Sequence, residues 1–420
     1  MACVVQKFGG TSVGNADRIK HVAERVVRTA DEGRSVCVVV SAMGNATDEL
    51  IELAARVSTR PHPRELDMLL TAGERIAMAL LSMAIAELGR EAISFTGSQA
   101  GILTDTAHGR ARITEVRAHR VEEALQQGKI AIVAGFQGVS PEAHVTTLGR
   151  GGSDTTAVAL AATLVAEACE IYTDVEGVYT ADPRIVPLAR KLNVLSHVEM
   201  LELSAAGARV LMVRAVEYAR NYGIPIHVRS SFTDAPGTWV KKETETMEKA
   251  IISGIAHDSS EAKVTITGVP DRPGIAAQLF RTLATEGINV DMIVQNVASE
   301  GNTDISFTVP RGDLDSAEPV IDAVAKQIGA RKVATDPDVA KISLVGAGMR
   351  THPGVAAQMF ETLAEAGINI EIISTSSIRI SCVVRGDKIE RAVRAVHDAF
   401  RLSEEFILEE VPSTSARDTG

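Results

Sequence analysis

The stretch Cys3-Val-Val-Gln-Lys-Phe-Gly-Gly-Thr-Ser12 decides the fold class, because it joins a short apolar strand to a turn with two glycines. Apolar residues at helical spacing follow over 15–28, and a continuous apolar run at 36–40 indicates a strand buried on both faces. The same alternation of strands and helices continues at 130–134, 153–166 and 169–173. It predicts an α/β fold with helices on both faces of a mostly parallel sheet.

The second half of the chain contains an internal repeat with an offset of 80 residues. Residues 274–289 match residues 354–369, and 11 of these 16 positions are identical. Strands flank each copy, and a further strand and helix complete a βαββαβ unit. Two copies are too few for a solenoid, so the repeat predicts a paired, pseudo-symmetric module.

The boundary between the two halves is marked by the turn Ala235-Pro236-Gly237 and by a charged stretch at 241–249 that lacks apolar periodicity. The prediction is an α/β domain at 1–240, a linker with the start of the C-terminal region at 241–260, repeat domains at 261–335 and 340–411, and a disordered tail at 412–420.

Composition excludes several classes of protein. The 420 residues carry a net charge of −11 and only 3% aromatic residues, which argues against binding to nucleic acid or to an anionic membrane. No apolar run approaches the roughly 20 residues of a membrane span, and the amino terminus lacks a signal peptide. The four cysteines are far apart and form no C-x-x-C pair, so we expect neither disulfides nor a metal site, and a cytoplasmic location.

Two glycine-rich segments could hold an anion. Lys7-Phe-Gly-Gly-Thr-Ser12 lies at the carboxyl end of the first strand, where open α/β sheets bind ligands, and its lysine and amides suit phosphate. Gly149-Arg-Gly-Gly-Ser-Asp154 opens a helix, for which Ser153 or Asp154 is the predicted N-cap. The alternatives are a tight turn with a solvated lysine and an ordinary capped turn.

Further polar residues stand out in apolar surroundings. Glu74 lies in a predicted apolar helix at 66–88 and needs either Arg75 or a ligand ammonium as its partner. A polar loop at 173–184 follows another sheet strand. No P-loop, protein-kinase signature or H-E-x-x-H is present, and Gly346-Ala-Gly348 lacks the third glycine of a dinucleotide fingerprint.

Together these segments resemble the aspartokinases, amino acid kinases that phosphorylate the side-chain carboxylate of L-aspartate. The length resembles the single-function bacterial form. The resemblance implies a three-layer αβα sandwich followed by two ferredoxin-like ACT domains. It rests on KFGGTSV at the start, SAMG at 41–44, LLTAGERI at 69–76, FTGSQAG at 95–101, TLGRGGSDTTA at 147–157, TDVEGVYTADPRI at 173–185 and the tandem repeat.

The resemblance also implies roles for matching residues. Lys7 and Asp154 would be catalytic, with Lys7 and the glycine amides binding the transferring phosphoryl group. The aspartate pocket would consist of Ser41, Thr47, Glu74, Arg150, Gly151, Gly152 and Ser153. ATP would contact Lys7, Gly9, Gly10, Thr11, Thr173, Asp174, Tyr179, Asp182, Arg184 and Arg209. Arg209 stands where many family members have lysine. Mg²⁺ would be held mainly by phosphates and waters, without a protein metal site.

The repeats would bind an effector where they face each other, with inhibition by lysine, threonine or both. Helix starts would take its α-carboxylate, and Asp271, Asp291 and Asp304 are candidates for a lysine side chain. The implied allosteric residues are Asp271, Gly274, Ala276, Asn289, Asp291, Gln295, Asp304, His352, Gly354, Val355, Asn369, Ser374 and Thr375. The alternative is a module that only dimerises the enzyme. A homo-oligomer, and a short regulatory chain starting at Met247, are further expectations.

Two other functions remain open from the sequence. One is an amino acid kinase acting on glutamate, N-acetylglutamate or a nucleotide. The motif KFGGTS and the paired repeats argue against it. The other is an amino-acid sensor with a decayed catalytic half, against which the retained Lys7, Glu74, Arg150 and Asp154 speak. A phosphate-transfer assay with aspartate and ATP separates all three.

Overall fold

The computed structural model describes residues 2–242, 251–297, 301–352 and 354–404. The predicted internal start at Met247 and the predicted tail at 412–420 lie outside the described residues, as do residues 405–411 of the predicted second repeat domain.

The amino-terminal domain alternates strands and helices as the sequence predicts. Its strands are β1 (Cys3–Phe8), β2 (Ser35–Val40), β3 (Ala92–Phe95), β4 (Ile102–Thr104), β5 (Ile113–Val116), β6 (Ile130–Ala134), β7 (Gln137–Val139), β8 (Val145–Thr147), β9 (Ala168–Thr173), β10 (Val194–Ser196), β11 (Ile226–Ser230) and β12 (Thr238–Lys241). Its helices are α1 (Ala16–Asp31), α2 (Ala46–Val57), α3 (Pro63–Leu70), α4 (Ala72–Glu87), α5 (His119–Gln126), α6 (Gly152–Thr163), α7 (His197–Ala205) and α8 (Val213–Tyr222).

Eight strands form one large sheet in the order β10-β12-β11-β9-β1-β2-β6-β3. Neighbouring strands are parallel except for β11 and β12. Alternate side chains of β1 enter different cores: Val4 and Phe8 pack with α1 and α4, whereas Val5 packs with α5 to α8. This arrangement confirms the predicted three-layer α/β fold.

The predicted helix at 66–88 is two helices, α3 and α4, separated at Thr71. Thr71 is fully buried, and its carbonyl accepts a hydrogen bond from Gln137 Nε2 (3.3 Å). The break places Glu74 in the first turn of α4. Residues 63–87 have the length of a membrane span, and an 18-residue stretch within them has a mean hydropathy of 1.5. Because Asp67 and Glu74 are buried in this segment and α4 packs on α1, it is part of the domain core.

The carboxyl-terminal half contains two four-stranded antiparallel sheets. Its strands are β13 (Gly254–Asp258), β14 (Glu261–Pro270), β15 (Ile293–Val297), β16 (Asn302–Pro310), β17 (Lys332–Asp336), β18 (Val339–Val345), β19 (Ile372–Thr375) and β20 (Arg379–Arg385). Its helices are α9 (Ile275–Thr285), α10 (Leu314–Ile328), α11 (Val355–Glu365) and α12 (Ile389–Ala399).

The first repeat domain is continuous in sequence, but the second is not. The first has the order β15-β16-β14-β17, built from one βαββαβ unit. In the second the order is β13-β18-β20-β19, so β13 takes the edge that β17 takes in the first. The prediction placed residues 254–258 in the linker region before both repeats. They instead pair antiparallel with β18, because a short apolar strand gains ladder hydrogen bonds and burial there.

Reciprocal ion pairs join the two repeat domains. Lys341 of β18 bonds to Asp291, and Lys263 of β14 bonds to Glu371. Asp291 and Glu371 are 80 residues apart, the repeat offset, so the contacts follow the pseudo-symmetry of the module. Lys341 is buried, and Glu261 lies 3.3 Å from its ammonium as a second counter-charge.

Candidate active site

The glycine turn after β1 lies at the carboxyl edge of the large sheet, between β2 and β9. Gly10 is packed so closely that a Cβ atom would lie 2.9 Å from the carbonyl oxygen of Ala42. A side chain at this position would therefore displace the backbone after β2. The Gly9 N–H donates to the Tyr172 carbonyl (3.2 Å) and so joins the turn to β9. A phosphate contact from the Gly9 amide would require this hydrogen bond to break, and the contact stays a prediction.

Lys7 and Asp154 meet at the same edge. Lys7 Nζ lies 2.6 Å from Asp154 Oδ1, and both side chains are about nine-tenths buried. The predicted N-cap at Ser153 or Asp154 is wrong: the N-cap is Gly151, with φ 70°, and Asp154 stands in the first turn of α6. A Cβ at Gly151 would meet Met212 Cγ at 1.9 Å, so glycine alone fits there. Asp154 is thereby aimed at Lys7 rather than at its own helix terminus.

Glu74 is an acidic group in an apolar environment, 2% exposed. Its Oε1 accepts the Ala42 N–H (3.2 Å), whereas its Oε2 is buried without a partner among the described residues. Burial raises the pKa of Glu74 to about 7, and hydrogen bonds from backbone N–H groups oppose this only in part. An unpartnered buried carboxylate oxygen fits a ligand ammonium.

The other predicted aspartate-pocket residues lie on the segments that follow β2 and that begin α2 and α6. Ser41 directly follows β2, where its N–H donates to the Phe8 carbonyl (3.1 Å), and Thr47 is the second residue of α2. Ser153 is buried in the first turn of α6. Arg150 is exposed on the loop four residues before Asp154. The chain thus brings β1, β2, α2, α4 and α6 together at one edge.

Sequence reasoning missed two residues that hold the loop carrying Arg150. Asp67 is 1% exposed and accepts hydrogen bonds from Thr147 Oγ1 (2.5 Å) and from the Gly109 N–H (3.1 Å). Its carboxylate also lies 2.6 Å from His108 Nδ1. On the other side, Arg214 donates to the carbonyl of Leu148 (2.7 Å) and to that of Ala111 (3.1 Å). The only sequence signal was an acidic residue in an apolar segment, the same signal that singled out Glu74.

We expect Asp67→Asn to raise the KM for aspartate about tenfold and to leave the KM for ATP unchanged. The substitution weakens charge-assisted hydrogen bonds worth about 1.5–3 kcal/mol, and so loosens the segment before Arg150. Initial-rate kinetics with each substrate varied would measure this. Asp322→Asn, exposed on α10, is the matched control. Equal changes in both KM values would contradict a local role for Asp67.

The last residue of β9 and the loop after it carry five of the predicted ATP contacts. Thr173 Oγ1 donates to Asp174 Oδ1 (3.1 Å), and Tyr179 forms an isolated β-bridge with Lys191. Arg184 Nη2 lies 2.7 Å from Asp182 Oδ2. Hydrogen bonds from Arg184 lower the pKa of Asp182, so this carboxylate is ionised at neutral pH. Among the described residues, no group of three or more His, Cys, Asp or Glu side chains is placed to hold a metal ion.

This loop rests on the second repeat domain. The Ile255 N–H of β13 donates to the Thr180 carbonyl (2.7 Å), and Thr180 Oγ1 lies 3.0 Å from Nε2 of His397 on α12. Arg394 donates to the Ile185 carbonyl (3.1 Å). Burial lowers the pKa of His257 on β13; Asp182 raises it, while Arg184 and Arg209 lower it further. His257 therefore lies among three predicted ATP contacts.

The predicted allosteric residues lie mostly on the surface of the two repeat domains. Gly274 and Gly354 are the N-caps of α9 and α11, with φ of 96° and 103°. Two of the three candidate carboxylates for a lysine effector are already engaged: Asp291 pairs with Lys341, and Asp304 accepts the Gly268 N–H (2.9 Å). The third, Asp271, is exposed. The remaining predicted residues are Ala276, Asn289, Gln295, His352, Val355, Asn369, Ser374 and Thr375.

The class of the protein follows from the αβα fold and from Lys7 and the glycine turn at the carboxyl edge of the large sheet. Residues 2–230 match the amino acid kinase family, and residues 263–329 and 342–400 match ACT domains. The chain is therefore a kinase of the amino acid kinase family followed by two ACT domains.

Relatives narrow the class further. The chain is 57% identical to the aspartokinase of Mycolicibacterium smegmatis over 96% of this chain and 97% of that one. It is similar to E. coli aspartokinase III in complex with aspartate and ADP, with a TM-score of 0.82 and 27% identity over 94% of this chain and 99% of that one. The lysine and aspartate complex of the same enzyme has a TM-score of 0.72 and 26% identity over 95% and 99%. The chain belongs to the aspartokinase family.

Proposed function

We propose that this enzyme transfers the γ-phosphoryl group of Mg-ATP to the β-carboxylate of L-aspartate. The products are 4-phospho-L-aspartate and ADP, and the reaction is the first step towards lysine, threonine and methionine. The observation that carries the proposal is the Lys7–Asp154 pair at the end of β1, together with the unpartnered carboxylate oxygen of Glu74, whose other oxygen accepts the N–H of Ala42 beside the glycine turn. A complex of E. coli aspartokinase III holds aspartate and ADP, which supports it.

The chemistry requires alignment more than proton transfer. The β-carboxylate of aspartate is ionised at pH 7, so it needs no general base. One of its oxygens attacks the γ-phosphorus, the bond to the bridging oxygen breaks, and the electron pair leaves with ADP. The Lys7 ammonium neutralises charge on the transferring group, and Asp154 holds that ammonium in place. Mg²⁺ bound to the phosphates would supply further charge neutralisation.

The acceptor pocket distinguishes aspartate by its charged groups. Glu74 would receive the α-ammonium, and Arg150 would bind the α-carboxylate in a bidentate arrangement. Ser41, Thr47 and Ser153 would fill the remaining polar positions. Thr173, Asp174, Tyr179, Asp182, Arg184 and Arg209 would line the nucleotide side.

A hydroxylamine trapping assay tests the proposal, because acyl phosphates form hydroxamates. The full chain with Mg-ATP should give the hydroxamate with L-aspartate. Glutamate and N-acetylglutamate should give little hydroxamate, and ADP release should be low with a nucleoside monophosphate, whose phosphoanhydride product forms no hydroxamate. Product with one of these and none with aspartate would identify another amino acid kinase. The absence of turnover with every acceptor would indicate a sensor.

We propose that lysine, threonine or both inhibit the enzyme through the ACT domains. The support is the contact between the second ACT domain and the nucleotide loop: β13 and α12 hold Thr180 from two sides. An effector that moves this domain would move the loop. Equilibrium dialysis with both amino acids tests the binding, because a purely dimerising module would bind neither.

His397 offers a test of this coupling, because it is fully buried on α12 and bonds to Thr180. We expect His397→Leu to raise the effector concentration for half-inhibition by about 5- to 100-fold, since allosteric coupling is typically about 1–3 kcal/mol. His397→Gln, which keeps a hydrogen-bonding group, should lie between. His119→Leu on exposed α5 is the control. Unchanged inhibition in a folded His397→Leu variant would exclude this route.

We propose that the enzyme is a homo-oligomer joined through its ACT domains. The outer strands β15 and β19 carry Ile293 and Ile373 with half-exposed apolar side chains, at equivalent positions of the repeat. Light scattering would give the subunit number. A short chain from Met247 would appear as a second band on a denaturing gel of the native enzyme, and a single band would exclude it.

A further inference from the structure

The side of the large sheet that faces α1 is apolar over one half of the sheet and polar over the other. Over β1 and β2 it is apolar except for Gln6 and is covered by α1 and α4. On β9 and β11 the same side carries Glu170, His227 and Arg229, and the register places Glu170 between Gln6 and His227. Strands within a parallel sheet are normally apolar on both faces, so these polar side chains need a specific explanation.

A cavity of about 480 Å³ lies between α1 and these strands. Its lining includes Arg25 and Arg28 of α1, Arg229 of β11 and Trp239 of β12. Val4 and Ala168, at the starts of β1 and β9, mark its other end. The cavity lies on the α1 face of the sheet, whereas Lys7 of the candidate active site meets Asp154 of α6 on the other face, so the two sites are separate. The volume suits a small ligand.

Of the four acidic groups that line the cavity, the two nearest to Arg25 and Arg229, Glu170 and Asp234, are already matched. Glu170 Oε2 accepts hydrogen bonds from Gln6 Nε2 (2.8 Å) and from the Tyr172 hydroxyl (2.9 Å), and Arg229 Nη1 lies 3.6 Å from Oε1. Asp234 pairs with Arg25 at 3.1 Å. Glu170 and Asp234 therefore do not require a further cation. Glu32 and Glu167 also line the cavity, but they lie with Arg34 at the amino ends of the strands.

The guanidinium groups, in contrast, keep donors to spare. Arg25 is only 5% exposed, and its Nε, like that of Arg229, is buried without a hydrogen-bond partner in the part of the chain that the structure describes. Both guanidinium carbons lie close to the Tyr172 ring centroid, at 5.1 and 5.5 Å. Two arginines beside one ring, each with a spare buried N–H, are suited to share an oxyanion.

We propose that this cavity binds a small oxyanion, a carboxylate or a phosphate, between Arg25 and Arg229. The oxyanion accepts the spare N–H groups of both arginines, and Arg28 at the rim adds a third positive charge. The site does not depend on the proposed kinase reaction.

Trp239 supplies the measurement, because it is the only tryptophan, lines the cavity and stacks on His227 with 3.9 Å between ring centroids. The full chain is titrated with inorganic phosphate and, separately, with citrate, while NaCl keeps the ionic strength constant. We expect a saturable change in tryptophan fluorescence, with at least tenfold weaker binding in Arg229→Gln. Arg56→Gln, exposed on α2, should bind normally. Saturation by only one probe assigns the class of oxyanion.

Two further variants keep the result interpretable. Lys7→Ala should retain the fluorescence response, because Lys7 belongs to the candidate active site. If circular dichroism shows that Arg229→Gln does not fold, Arg28→Gln is used in its place, because the Arg28 side chain is more than half exposed. We again expect at least tenfold weaker binding. The proposal is overturned by a response that never saturates, by one that persists in the arginine variants, or by one that is lost in Lys7→Ala instead.

Discussion

Replacing Lys7 with alanine should lower kcat at least about a hundredfold without unfolding the protein, because one preorganised donor to a developing charge typically contributes about 3–4 kcal/mol. Lys7 stands at the end of β1 with its ammonium 2.6 Å from Asp154. The variant also leaves Asp154 without its counter-charge, so the effect on kcat should exceed the effect on either KM. Steady-state kinetics with aspartate and ATP would measure it.

Two comparison variants sharpen this prediction. Lys20→Ala, exposed on α1, removes a lysine far from the edge of the sheet and should have normal kinetics. Lys7→Arg keeps the charge but changes the shape of the donor group, so it should remain strongly impaired. Near-normal turnover in folded Lys7→Ala would remove Lys7 from the mechanism and, with it, the electrostatic basis of the proposed reaction.

Glu74→Gln should raise the KM for aspartate by about 10- to 100-fold and change the KM for ATP little. The amide keeps the shape of the side chain and accepts the Ala42 N–H, but it removes the charge that would meet the substrate ammonium. A hydrogen bond to a charged group contributes about 1.5–3 kcal/mol, which sets the range. Glu87→Gln, exposed at the end of the same helix, is the control.

The pH dependence of binding gives a second measurement on the same residue. Burial raises the pKa of Glu74 to about 7, so the carboxylate is mostly protonated at pH 6 and mostly ionised at pH 8. Only the ionised form attracts an ammonium group. The KM for aspartate should therefore fall roughly tenfold from pH 6 to pH 8 in the natural enzyme, and Glu74→Gln should lose this dependence. An identical profile in both proteins would place the titrating group elsewhere.

The candidate site was only partly accessible from the sequence. Motifs identified Lys7, Glu74 and Asp154 because glycine turns and isolated charges in apolar segments are local signals. Asp67 and Arg214 were missed, since their importance depends on which backbone they contact: Thr147 and Leu148 are distant in sequence. The hydrogen bond from the Gly9 N–H to Tyr172 of β9 was not foreseen either, because it joins segments more than 160 residues apart.

The fold shows the same division. Apolar periodicity and the 80-residue repeat were enough to predict the layered α/β domain, the paired modules and their order. The spacing of apolar residues in the sequence directly reflects which side chains are buried. Tertiary structure alone decided the break at Thr71, the glycine N-cap of α6 and the addition of β13 to the second ACT sheet. These three features depend on contacts between segments far apart in sequence. Local secondary-structure propensity does not include the energies of such contacts.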